Sequence, residues 1–386
     1  MTSLSSVLIG SGSVLARCGE ALVAKGHRIT AVVTSDATAR SWAVKAGVPH
    51  HELAEAVALA PRLTCDLLLS VGNYAVVPEA LLRCAERAAV NYHYGPLPEY
   101  AGLHAPSWAI AEGAREYGIT WHRMARTVDT GEVLGRVPVA IEPDDTALSL
   151  GLKCDDAAVA GLGELVDAIA EGRETPVPQD SATRRYFSRH TQFPAEGLID
   201  WSLPAERVAA MVRATDHGPF ASPLVWPKTG AGGRFYAVRE ARADAGGAAP
   251  AAGGTASQAA APGTVLACDD ASGLRVATGS GSVTLTRLCT LEGEERSVGA
   301  VAAALGIRPG TVLDRPGDEA GARLTEAGVR ASKAARHWRE RLAGDGSHPY
   351  RLPFPRPRAA DTAPEAEPVR VRCHVPPAQG GDGPDA

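Results

Sequence analysis

Three side chains carry the chemistry that this sequence offers most clearly. Ala89-Val90-Asn91-Tyr92-His93 reads as a strand, and its period of two points Asn91 and His93 to one face. Gly95-Pro96-Leu97-Pro98 follows directly, a proline-bearing loop that stiffens the rim of whatever pocket the pair lines. Further along, Val128-Asp129-Thr130-Gly131-Glu132-Val133-Leu134 sets an acid beside a glycine turn. An amide, an imidazole and a carboxylate converging at strand ends suit acyl transfer to an amine. The amide and imidazole donate to a developing oxyanion, and the carboxylate orients the imidazole or accepts a proton through water. Strand C-terminal ends are also where open α/β sheets bind ligands. The same N-x-H spacing describes a satisfied polar pair at a sheet end, so the chemistry depends on what the fold brings beside it.

Other candidates read more plainly as structure. Gly10-Ser11-Gly12-Ser13 follows the first strand-like run, but Leu15 stands where a dinucleotide fingerprint has its third glycine. Asp36, the acid that could meet a ribose, doubles as a helix cap. His104 and His122 read as structural or pocket-lining, and Trp108, Trp121 and Trp201 as core or interface aromatics. Asp144-Asp145 belongs to a helix start. The seven cysteines are scattered without C-x-x-C, and the eleven histidines form no H-x-x-x-H or H-E-x-x-H pair. Neither a disulfide framework nor a metal site is expected.

The elements that must position these residues alternate along the first ~170 residues. Ser6 to Gly10 is a strand, Val14 to Lys25 a helix, Arg28 to Thr34 a strand, and Ser35 or Asp36 caps a helix that Gly47 ends. Asp66 to Val71 is a buried strand, and Pro78 opens a helix running to Ala85. Ala89 to His93, Gly118 to Met124 and Val133 to Ile141 are strands, with a helix over Pro106 to Glu112. Asp145 or Thr146 opens a long helix toward Gly172. This alternation predicts an α/β fold with a mostly parallel sheet and helices on both faces. Past Gly172 the texture changes. Asp244 to Gly263 reads as a flexible loop, Thr264 to Leu291 as short strands with glycine turns in a small β-barrel-like module, and Ala322 to Ala343 as a helix. From Gly344 the chain is rich in proline and alanine and is expected to be disordered or peripheral.

Composition narrows the function classes. The 386 residues are 45% hydrophobic, enough for a sizeable core, and 39 basic against 44 acidic side chains leave a net charge of −5. That balance argues against a general nucleic-acid footprint. No apolar run approaches the ~18–20 residues of a membrane span. The first residues carry no charged region ahead of an apolar stretch, so a cytoplasmic protein is expected.

In order and spacing, Asn91-x-His93, the loop Gly95 to Pro98 and Asp129-Thr130-Gly131-Glu132-Val133-Leu134 resemble the signature of the 10-formyltetrahydrofolate-dependent formyltransferase family. That family includes methionyl-tRNA formyltransferases, sugar N-formyltransferases and formylation domains of nonribosomal peptide synthetases. The resemblance covers roughly residues 5 to 225, and Thr264 to Leu313 is more loosely similar to the family's small C-terminal barrel. It implies a Rossmann-like catalytic domain over 1–185 and a linker plus OB-like barrel over 186–315, with 244–263 as a flexible loop. A helix and tail would follow over 316–386.

The resemblance also implies that Asn91, His93 and Asp129 are catalytic. 10-Formyltetrahydrofolate would be the co-substrate, with no metal. Its pterin would meet Ala75, Val76 and Val77 and Ala125, Arg126, Thr127 and Val128, largely through backbone hydrogen bonds. Gly95, Pro96, Leu97 and Pro98 would lie nearby, and the Gly10–Gly12 turn becomes part of the fold. Several members place Arg-Gly after the proline loop, where this sequence has Tyr100-Ala101-Gly102-Leu103, weakening a nucleotide-sugar acceptor. The near-balanced charges of Glu240 to Leu313 weaken a tRNA acceptor.

The run Asn91 to Ile110 and the segment Gly118-Ile119-Thr120-Trp121-His122 look most like peptide-synthetase formylation domains. Ala335 to Gly344 and Leu352 to Arg358 are similar to a linker segment beside condensation domains. The expected acceptor is therefore the primary amine of an amino acid or of an aminoacyl group on a carrier (thiolation) domain. A sugar nucleotide or other small amine is the alternative, and a catalytically silent folate-fold docking module another. Hydrolysis of the formyl donor remains open as well.

Overall fold

The computed structural model describes residues 3–244 and 260–343, and for 335–343 the backbone alone. Met1–Ala335 forms one compact unit, and Arg336–Ala386 a second, of which only the end of the last helix is described. The greater part of the expected flexible loop and the tail from Gly344 lie outside the described residues.

The chain runs β1 (Ser5–Gly10), α1 (Gly12–Ala24), β2 (Arg28–Val33), α2 (Ala37–Lys45), β3 (His50–His51) and α3 (Leu53–Leu59). It continues through β4 (Cys65–Val71), α4 (Glu79–Leu82), β5 (Ala85–His93), β6 (Ala101–Gly102), α5 (Ala105–Glu112), β7 (Gly118–Arg123), β8 (Val133–Pro138) and α6 (Ala147–Ala170). Then come β9 (Tyr186–Phe187), α7 (Ala205–Arg213), β10 (Lys228–Ala231), β11 (Arg234–Ala243), β12 (Val265–Asp269), β13 (Gly273–Ala277) and β14 (Ser282–Cys289). β15 (Glu295–Arg296), α8 (Val298–Leu305) and α9 (Asp318–Ala343) complete it.

The main sheet has the order β3-β2-β1-β4-β5-β7-β8. Its first five strands pair in parallel, and β5-β7 and β7-β8 pair antiparallel, so the sheet is mostly parallel. Continuous apolar runs such as Leu67-Leu68-Leu69 suit strands buried on both faces. One face packs Leu8, Val90 and Tyr92 against α1, α5 and α6. The other packs Val7, Ile9 and Leu68 against α3 and α4. α6 presents Leu150, Cys154, Ala158, Leu162 and Val166 as one buried stripe, and a reciprocal capping box between Thr146 and Ser149 starts it. Asp36 caps α2 by accepting from Ala39 N, and it also accepts from Gly12 N, tying the first glycine turn to a neighbouring loop.

Several boundaries and elements differ from the sequence reading. The helix after Pro78 ends at Leu82, not Ala85, because β5 begins at Ala85. α7, α8, β10 and β11 were not expected. β10 and β11 join β12, β13, β14 and β15 in an antiparallel half-barrel, reached from far along the chain. α7 links the cores: Ala210 and Ala214 pack with the main sheet, Val208, Ala209 and Val212 with the half-barrel. Trp121 and Trp201 are fully buried, and Trp108 stacks on Phe187 with ring centroids 4.8 Å apart. Among the described residues no helix is long and apolar enough to cross a membrane.

Candidate active site

β5 delivers Asn91 and His93 at its C-terminal end, beside the point where the strand order reverses between β1 and β4. The register sets Asn91 opposite Ser70 of β4 on one side and His122 of β7 on the other. Asp129 comes from the β7–β8 loop, where its backbone is left-handed (φ 55°). Gly131 folds that loop tightly: a Cβ there would lie 1.9 Å from the Arg123 carbonyl oxygen. The Gly102 amide reaches over from β6 and donates to Asp129 Oδ2 at 2.8 Å. Gly102 is itself required by the close approach of β9, because a Cβ would meet the Phe187 oxygen at 2.2 Å.

Asp129 therefore lies between two imidazoles. His93 Nδ1 is 3.6 Å from Oδ2 and His122 Nε2 is 3.5 Å from Oδ1, with all three side chains buried. The ring protons follow from the remaining partners. His93 Nε2 donates to the Tyr100 carbonyl at 2.6 Å, so Nδ1 is the nitrogen left to exchange a proton. His122 Nδ1 donates to the Arg123 carbonyl at 2.8 Å, and its Nε2 lies 3.1 Å from Asn91 Nδ2. His122 thus fixes the Asn91 amide with one N–H still free. Burial pushes His93 below its ordinary pKa, against the opposing pull of Asp129. Burial also disfavours the Asp129 carboxylate, but His122, His93 and the Gly102 amide outweigh it and hold the carboxyl down to about 2.

A cavity of about 910 Å³ spans this edge of the sheet. Its lining includes the triad, His122, Ala75, Val76, Val77, Ala125, Arg126 and Val128. Val76 and Val128 are exposed at the rim, while Ala75 has its N–H and C=O already bonded to the Asn73 side chain. Thr127 and the loop Gly95, Pro96, Leu97 and Pro98 do not line it. The loop is a brace instead. Leu97 is buried, its N–H donates to Thr120 Oγ1, its carbonyl accepts from Arg136, and the Thr120 hydroxyl donates to the Gly95 carbonyl. The Thr127 carbonyl accepts from the Thr130 hydroxyl and closes the turn that contains Asp129. Among the described residues, no group of three or more His, Cys, Asp or Glu side chains is placed to hold a metal ion.

Sequence reasoning read His122 as structural or pocket-lining, and it lines the cavity; its contact with Asn91 follows only from the β5–β7 register. The same reasoning passed over the Tyr100 carbonyl and the Gly102 amide, which are backbone groups with no side-chain signature.

A family model described as "Formyl transferase" matches residues 6–166, and one described as "Formyl transferase, C-terminal domain" matches residues 193–302. Together they span more than half of the chain. Among solved structures, HypX from Aquifex aeolicus is 18% identical with a TM-score of 0.52, over 80% of this chain and 49% of that one. The chain thus spans about half the length of HypX. WlaRD, a sugar 3N-formyl transferase, is 13% identical with a TM-score of 0.56, over 74% of this chain and 98% of that one. An N-formyltransferase from Helicobacter canadensis, solved with folinic acid and dTDP-3-aminofucose, is 15% identical with a TM-score of 0.57. That match covers 72% of this chain and 98% of that one. These likenesses establish a shared fold, and the matches over both halves establish the family. The chain belongs to the formyl transferase family.

Proposed function

We propose that this enzyme moves a formyl group from 10-formyltetrahydrofolate to the primary amine of an amino acid or of an aminoacyl group on a carrier domain, in the cytoplasm. The observation that carries the reading is the Asn91–His122–Asp129–His93 cluster, buried at the edge of a cavity large enough for two substrates. The donor fits the side that carries Val76, Val77, Arg126 and Val128. Exposed valines there offer apolar surface to a flat ring, and Val76 and Val77 keep backbone groups for its polar edge.

The residues divide the work as their partners dictate. The free N–H of Asn91 donates to the formyl oxygen as negative charge develops on it. The acceptor nitrogen bonds to the formyl carbon and loses one proton, and the donor nitrogen leaves with one. His93 Nδ1 carries that proton between them, since Nε2 is tied to Tyr100. A carboxyl held near 2 is too weak a base to take the proton itself, so Asp129 stabilises the imidazolium that His93 becomes.

A second reading, transfer to an amino-sugar nucleotide, is favoured by the likeness to WlaRD and the Helicobacter canadensis enzyme over nearly their full length. Against it, Ala101 and Gly102 are committed to pairing with β9, with no arginine there to meet phosphates. The test is a turnover assay with 10-formyltetrahydrofolate, following folate release and a mass gain of one formyl group on the acceptor. The panel holds amino acids, aminoacyl carrier proteins and amino-sugar nucleotides, with His93→Ala as control. Formylation of amino acids or aminoacyl carriers, lost in the variant, is the expected result. Formylation of sugar nucleotides alone overturns the acceptor assignment. Folate release without product indicates hydrolysis, and folate binding without turnover leaves a silent docking module.

A further inference from the structure

The cavity has a second wall that the formyl-transfer cluster does not use. Val77 and Met124 belong to the core on the α3–α4 face of the sheet, whereas Tyr92 belongs to the core on the α1–α6 face, with Tyr94 packed against it. The cavity touches all four, so it wraps over the end of β5 and has a compartment on each face. Asn91 and His93 stand at the boundary, and alternation along β5 sends Tyr92 to the opposite face from both. If the donor occupies the α3–α4 side, the acceptor enters from the α6 side.

That wall carries one ionic side chain from α6, Asp155. The hydroxyl of Tyr92 donates to its carboxylate at 3.3 Å, and the Tyr94 phenol also favours its ionised form. The two rings lie against each other with centroids 4.5 Å apart, and Tyr74 adds an exposed ring at the rim. Among the described residues no lysine or arginine lies within ion-pair distance of Asp155. Arg17, whose charge reaches it, is engaged by Asp156 at 2.7 Å. Burial accordingly raises the Asp155 carboxyl above its ordinary value in spite of the phenol donors. A half-buried carboxylate without an ion-pair partner among the described residues, beside aromatic faces of negative potential, is what an alkylammonium ion satisfies on both counts. A hydroxyl would gain from the carboxylate alone, and a phosphate would be repelled.

We propose that Asp155, with Tyr92, Tyr94 and Tyr74, forms an acceptor subsite for a second, non-reacting ammonium group, so that the preferred acceptor is a diamine or a diamino acid. This rests on the proposed function and adds the acceptor's chemical class. The test is equilibrium binding of three matched probes to the full chain by calorimetry: N-(4-aminobutyl)formamide, N-(4-hydroxybutyl)formamide and N-butylformamide, whose reacting end is already a neutral formamide. The ammonium-bearing probe is expected to bind at least ~10-fold more tightly than either neutral one. Asp155→Asn, and Asp155→Ser as a second replacement, should bring the three affinities together, with folding checked by melting.

Equal affinities in the wild type, a preference for the hydroxyl-bearing probe, or a preference for the ammonium-bearing probe that survives both replacements would overturn the proposal. The comparison within the wild-type protein needs no variant to fold. Donor binding and turnover are read separately. If the protein neither binds nor consumes 10-formyltetrahydrofolate, formyl transfer falls while the probe ranking still judges the subsite.

Discussion

Replacing Asp129 by asparagine isolates the charge of the triad from its geometry. Asparagine tolerates the left-handed backbone at this position better than other residues, and its carbonyl oxygen can still accept the Gly102 amide. What disappears is the negative charge between His93 and His122. The carboxyl is lowered from an ordinary 3.8 to about 2 in the folded protein. At ~1.4 kcal/mol per pH unit, the folded state gains about 2 kcal/mol from this ionisation.

The sign follows from proton binding. Near pH 3 the unfolded chain holds more protons on this group than the folded one, so stability rises with pH. The contribution is complete above the unfolded value near 3.8 and is lost as pH falls through about 2. Urea unfolding of wild type and Asp129→Asn should therefore differ by about 2 kcal/mol between pH 5 and 7, and by about 1 kcal/mol at pH 3. Turnover should fall by ~10²–10⁴-fold, since the imidazolium at His93 loses its counter-charge. A stability difference that is the same at pH 3 and pH 7, or a variant retaining a third of wild-type turnover, would refute the reasoning.

Four further outcomes follow from the site. Asn91→Ala removes the proposed oxyanion donor and should lower kcat by ~10²–10³-fold with little change in acceptor KM, measured by steady-state kinetics. His122→Ala frees the Asn91 amide to rotate and should cost on the order of 10-fold in kcat. His122→Gln, whose carbonyl can still accept from Asn91, should recover most of that loss; failure of this rescue removes His122 as a positioning residue. Because burial holds the His93 pKa below its ordinary 6.5, kcat/KM referred to the unprotonated fraction of the acceptor amine should stay level from pH 8 down to 6.5 and decline only under more acidic conditions. Gly131→Ala drives a methyl against the Arg123 carbonyl and should destabilise by about 3 kcal/mol in thermal melts. A melting temperature unchanged by this substitution would show that the loop can move aside.

The sequence by itself determined whatever depends on local spacing. Apolar runs, the Asp36 and Thr146 caps and the alternation of strands with helices are written in neighbouring residues, and they gave the α/β layers with little error. Asn91, His93 and Asp129 were legible because each stands in a short motif whose glycine or proline has a backbone reason, as Gly131 shows. Tertiary structure decided what depends on register and on chain closure. The pairing of β5 with β7 puts His122 on Asn91, and no local pattern encodes which residues of two strands face each other.

The close approach of β6 to β9 aims a backbone amide at Asp129, and backbone amides are the same in every residue. Gly95 to Pro98, which look like a pocket rim in sequence, become a buried brace once Thr120 and Arg136 claim their backbone. β10 and β11 form a hairpin across Gly232-Gly233, and its place in the half-barrel was not legible because the partner of β11, β14, lies about forty residues further along the chain. Asp155 gave no signal on a helix rich in acids until the fold set Tyr92 and Tyr94, distant in sequence, beside it and left it half-buried.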